Sequence, residues 1–166
     1  IIIAFILPFS FHFSVSAQQI LDLEEILSGK IIQTKGIGAL SWLKDGERYS
    51  RLEKNEQTGG TDVVAYRAKD NTREVIIPSS MFMNKETGKP IPIRSISWSQ
   101  DNGKVLIYTN TRQVWRYDTR GDYWVLTLAT GELHQLGKNL PESSLMFAKF
   151  SPAGDRVAYV SNNNIY

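Results

Sequence analysis

Between Ser95 and Leu136 the chain reads SISWSQDNGKVLIYTNTRQVWRYDTRGDYWVLTLATGELHQL, four short apolar runs separated by turn chemistry. That is the pattern of one complete four-stranded antiparallel sheet. Ile96 to Ser99 and Val105 to Thr109 form the first hairpin around Gln100-Asp101-Asn102-Gly103, residues that tolerate the positive φ of a tight turn. Tyr123 to Leu128 and Glu132 to Leu136 form the second around Ala129-Thr130-Gly131, with Gly131 expected in the left-handed position. The segment between the hairpins, TRQVWRYDTRGD, is polar and long for a connection. It holds Trp115 and Arg116 and is the first place to look for function.

The same unit recurs along the chain. Ala39 to Leu52, Ser95 to Tyr108 and Phe147 to Val160 each carry an aromatic residue, a polar turn with glycine, and an apolar strand with tyrosine. Aligned on Gly46, Gly103 and Gly154, the spacings are 57 and 51 residues. The second half of the unit recurs as Asp62 to Ile77 and Tyr123 to Leu136. Four strands repeating every 40 to 50 residues or slightly more, roughly, mark the blades of a β-propeller. A blade is apolar on both faces and must stack on neighbours. The reading is therefore all-β: two four-stranded blades plus the start of a third, preceded by a short helix and a signal-like segment. With no closing element before Tyr166, the sequence is expected to be a fragment cut at both ends.

Composition excludes more than it selects. A formal charge of +2 with both signs interspersed gives no basic block for nucleic acid. The absence of cysteine removes disulfides and thiolate metal sites, and two histidines, His12 and His134, leave little histidine chemistry. Asp45, Asp101 and Asp155 fall in the repeated turn without the spacing of a calcium loop, so turn formation is the better account. Trp42, Trp98 and Phe150 sit at equivalent positions and are expected to pack between blades. Met81 to Ile93 is an interblade connection held extended by Pro90 and Pro92. No metal and no cofactor is expected.

Residues 1–17, an apolar run ending in Val15-Ser16-Ala17, read as a secretory signal clipped at its start and cleaved before Gln18, with a buried N-terminal strand or helix as the alternative. Ile20, Leu23, Ile26 and Leu27 then predict a short amphipathic helix. Its adjacent Glu24 and Glu25 point about 100° apart and cannot converge on one bond. They are read as a solvated face.

WLKDGERY, the Ser95 to Leu136 stretch and FAKFSPAGDRVAYVSNNNIY together resemble the N-terminal propeller of the dipeptidyl peptidase IV family of serine peptidases, in its bacterial form. The most specific part is Trp115-Arg116 followed by Tyr123. The resemblance covers residues 18–166 and implies an exported enzyme, periplasmic or secreted, with membrane association left open. Such an enzyme releases N-terminal dipeptides from peptide substrates. Its propeller gates and holds substrate, while a C-terminal α/β-hydrolase domain, expected beyond this sequence, supplies the catalytic residues. An acidic pair that binds the substrate amine is also expected beyond Tyr166. No catalytic residue is assigned here, and a homodimer is left open.

One family position falls inside the chain. The resemblance implies that Arg116 hydrogen-bonds a carbonyl of the bound dipeptide, a task suited to the planar, permanently charged guanidinium. From spacing alone, a surface ion pair with Asp118 or Asp122 is the simpler reading. With the binding role, those two aspartates become candidate orienters of Arg116. The alternative function is a non-enzymatic propeller of the TolB or WD40-like type that acts as a protein-interaction module.

Overall fold

The computed structural model describes residues 22–28 and 36–166. The chain divides into two units, Ile1–Gly36 and Ile37–Tyr166. Among the described residues of the first, a helix, α1 (Leu23–Leu27), follows Asp22 in extended conformation. Glu24 and Glu25 fall on it. The signal-like segment and Ile20 lie outside the described residues.

The second unit is built from antiparallel meanders. β1 (Ser41–Trp42), β2 (Arg48–Lys54), β3 (Thr61–Arg67) and β4 (Arg73–Ile77) pair in chain order as one sheet. A 3-10 turn at Ser79–Phe82 leads into a small hairpin of β5 (Met83–Asn84) and β6 (Lys89–Pro90). β7 (Ile93–Trp98), β8 (Lys104–Val114), β9 (Tyr117–Thr127) and β10 (Glu132–Gln135) form the second four-stranded sheet, again in chain order. β11 (Met146–Phe150), β12 (Val157–Ser161) and β13 (Asn164–Ile165) form a three-stranded sheet. These are the two blades and the partial third that the repeat predicts.

The pleat of β8 explains why the sheets stack. Successive side chains leave a strand on opposite faces. Val105 and Ile107 join Val63, Ile77, Phe82, Ile91 and Leu126 in a core between the first and second sheets. Leu106 and Tyr108 turn the other way, into a core with Tyr123, Leu145, Phe150 and Val157 between the second and third. Each fully buried valine or isoleucine contributes roughly 1.5 to 3 kcal/mol relative to exposure, so one strand cements two interfaces. Trp98 packs as expected and also donates its indole N–H to the buried Ser50 Oγ of the first sheet at 3.0 Å. Phe150 packs in the second core. Trp42 departs from the expected packing role: it is 63% exposed and meets Tyr49 edge-on.

The repeated turn has a different register from the one expected. The left-handed position is Gly46 in the first sheet, Asn102 in the second and Gly154 in the third. Each donates its N–H back three residues, to Leu43, Ser99 and Ser151 respectively. Gly103 stands one residue later and has no positive φ. Asparagine fills the left-handed site because its short side chain tolerates that conformation, and its Oδ1 accepts the backbone N–H of Lys44 in the preceding sheet at 2.6 Å. Asp45 and Asp101 accept backbone N–H groups within their turns. Asp155, two positions out of step with them, accepts the Ser151 hydroxyl. The Met81 to Ile93 connection is more than an extended link, because Phe82 and Ile91 enter the first core.

Candidate functional site

The stretch expected to be a loop between hairpins is strand. β8 and β9 each run 11 residues. They continue past the blade as a two-stranded ribbon, closing at a Val114↔Tyr117 pair with Trp115 and Arg116 at the tip. Register shifts between Thr109 and Arg112, and between Arg112 and Gln113, mark bulges along it. Trp115 occupies the left-handed region at φ 63°, a conformation costly for a bulky residue and usual at the first central position of some two-residue turns. Gln113 braces the turn by donating its side-chain N–H to the Trp115 carbonyl at 3.0 Å.

The root of the ribbon is fastened to the segment before β11. Asp122 accepts from the Asn110 amide at 2.7 Å and from the Ser143 backbone N–H at 2.8 Å. The Ser143 hydroxyl returns a bond to the Asn110 carbonyl at 2.6 Å. Gly121 and Leu145 exchange both backbone bonds, at 3.0 and 3.1 Å. A Cβ at Gly121 would lie 2.4 Å from the Tyr108 ring and 2.7 Å from the Thr109 carbonyl oxygen, so only glycine allows this approach.

Beside the tip lies a cleft of about 580 Å³ lined by Arg94, Ser95, Tyr108, Gln113, Arg116 and Asp118, together with Ala39 and Tyr117. Asp118 accepts from Arg94 Nε at 3.0 Å, and its carboxylate is 25% exposed. Arg116 is exposed and, among the described residues, makes no hydrogen bond or ion pair. Neither Asp118 nor Asp122 pairs with Arg116 in this structure. Asp118 faces the same cleft but serves Arg94, and Asp122 is a fastening at the ribbon root. Arg112 and Arg120 stand directly across the ribbon from each other. Such like-charged cross-strand neighbours cost stability.

Tyr108 ties the cleft floor to the ribbon. Its hydroxyl donates toward the Asp118 carbonyl at 3.0 Å and the Arg120 carbonyl at 2.9 Å, and its ring stacks on Tyr123 at 4.7 Å. Burial first, then the neighbouring Tyr123 and Asp118, pushes its pKa up to about 12. In the unfolded chain a tyrosine titrates near its ordinary value of about 10. The folded state thus favours the neutral phenol: this contribution to stability is complete below about pH 10 and lost as pH rises from there toward about 12. Denaturant titrations across that window are expected to show a steeper alkaline loss in the parent protein than in Tyr108→Phe. Equal slopes would remove Tyr108 as the responsible group.

The resemblance singles out Arg116, with Asp118 and Asp122 beside it in sequence, and gives no sign of Arg94, Tyr108, Gly121 or Ser143. Gly121, flanked by Arg120 and Asp122 between polar and aromatic runs, was the available signal for a close approach. Nothing local to Arg94 or Ser143 announces their partners, which lie 24 and 21 residues away.

Stacked meanders with a protruding ribbon at the edge of an open cleft define the class: a β-propeller region with an extended arm. Residues 99–166 match the family model described as the dipeptidyl peptidase IV N-terminal region. A protein named as a probable dipeptidyl-aminopeptidase B of Aspergillus oryzae is 28% identical over 92% of this chain and 18% of its own length. Its counterpart in Emericella nidulans is 29% identical over 95% and 17%. The crystal structure of Porphyromonas gingivalis dipeptidyl peptidase 4 superposes with a TM-score of 0.68 at 22% identity, over 90% of this chain and 20% of that one, a likeness of fold. Over residues 99–166 the chain is thus similar to the dipeptidyl peptidase IV N-terminal region, and the likeness to these relatives extends over most of its length. It spans less than a fifth of the length of these curated relatives.

Proposed function

We propose that this chain is the substrate-gating and substrate-binding part of the propeller in an exported serine-type dipeptidyl aminopeptidase. The names of its relatives support the activity class. The observation that carries the binding role is Arg116, an exposed guanidinium at a cleft edge with no partner among the described residues. Its N–H groups donate to a carbonyl oxygen of the bound dipeptide, holding the peptide while a C-terminal α/β-hydrolase domain performs the acyl transfer. This division of labour leaves no catalytic residue in the region described and makes it inactive alone. The apolar run at residues 1–17 supports export.

The test is hydrolysis of a chromogenic Ala-Pro or Gly-Pro amide by the full-length protein. Turnover is expected with a free substrate amine, to be lost on N-acetylation and on treatment with a serine-directed inhibitor. Equal turnover of the acetylated substrate, or none of either, would overturn the reading.

A further inference from the structure

We infer that Arg94 keeps Arg116 available for substrate by occupying Asp118, the carboxylate that would otherwise capture it. This rests on the substrate-binding reading of Arg116. Arg116, in the turn at the ribbon tip, stands two residues before Asp118, the second residue of the return strand β9. Both line the same cleft. An ionised carboxylate so placed is the natural partner of that guanidinium. The ion pair found is a different one. Arg94, at the start of β7, reaches across β8 to Asp118 on β9, the two strands that flank β8 in the sheet. Tyr108, on the intervening strand, fixes the Asp118 main chain from below. The cleft therefore holds two guanidiniums and one carboxylate, and the cation left over is Arg116.

Arg94 is on this account a positioning residue, and its removal has a consequence of definite sign. With Arg94 gone, Asp118 pairs with Arg116, and a substrate carbonyl must compete with a carboxylate. The field of the lost cation acts in the opposite direction, since a substrate with a charged free amine is attracted by a less positive cleft. A fall in affinity on removing Arg94 is thus the mark of capture.

The experiment measures kcat and KM of the full-length protein with a chromogenic Ala-Pro amide for Arg94→Ala, Arg94→Lys, Asp118→Asn, the Arg94→Ala/Asp118→Asn pair and Arg116→Ala, with unfolding midpoints for each. Arg94→Ala is expected to raise KM about 3- to 5-fold with kcat little changed, the upper end of the scale of one partly exposed ion pair. Arg94→Lys retains most of the affinity, because an ammonium still satisfies Asp118. The double variant recovers to within about twofold of the parent, because an amide does not hold a guanidinium as a carboxylate does. If Asp118→Asn alone is as damaging as Arg94→Ala, or the double variant stays impaired, the ion pair merely braces the ribbon and the inference falls. It falls equally if Arg94→Ala is silent while Arg116→Ala is not. A silent Arg116→Ala overturns the underlying reading itself.

Discussion

Arg116→Ala in the full-length protein is expected to lower kcat/KM for dipeptidyl amides by about 30- to 1000-fold. On the proposed binding role, the basis is the loss of a charge-assisted hydrogen bond to the substrate carbonyl, roughly 2 to 4 kcal/mol. Lysine should restore little, since a single ammonium on a flexible stem does not reproduce the planar fork of donors. Arg112→Ala and Arg120→Ala are the controls. They sit on the same ribbon and change its charge equally, but they face each other across the strands, and neither lines the cleft. Each removal relieves a like-charge contact, so neither is expected to lower stability or activity much. If Arg116→Ala behaves as they do with the fold intact, the arginine is not a substrate ligand.

Gly121→Ala is expected to destabilise the propeller by about 1 to 3 kcal/mol. The added methyl would stand 2.4 Å from the Tyr108 ring and 2.7 Å from a main-chain oxygen, and the oxygen cannot rotate away. Relief requires moving either Tyr108, stacked on Tyr123 and hydrogen-bonded to two carbonyls, or the Gly121–Leu145 bridge between the second blade and the segment before the third. For a folding body of 150 to 250 residues, each kcal/mol corresponds to about 2 to 4 °C in Tm. Differential scanning calorimetry would register the change. An unaltered Tm would mean that the ring and the bridge are far softer than their packing implies.

Blade architecture was legible because it is written locally. Period-two apolar runs and turn residues fix a meander without reference to anything distant, and recurrence then fixes the stack. The glycine alignment failed by one residue because a left-handed turn position accepts asparagine as well, and Asn102 stands immediately before Gly103. The ribbon was hidden for a related reason. Its tip is Trp115-Arg116, with neither the glycine nor the asparagine that announces a two-residue turn, and its strands are polar in sequence on both faces. Of the site, Arg116 was legible only through the likeness of Trp115-Arg116 to a family motif. The allegiance of Asp118 to Arg94 was not, since sequence spacing offered Arg116 as the nearer cation and the pairing is decided by which strands lie beside β8.

The ribbon is, in mechanical terms, a cantilever. It is clamped at the root by Asp122, Ser143 and the Gly121–Leu145 bridge, propped partway by Arg94 on Asp118, and free at Trp115 and Arg116. Deflection of such a beam grows steeply with the unsupported length, and the register shifts around Arg112 are where its ladder is weakest in bending. The position of the guanidinium is then set less by the residues touching it than by the stiffness between clamp and prop. Substitutions at the root, far from any peptide, would be felt at the tip as a broadened distribution of Arg116 positions and a larger entropic loss on binding.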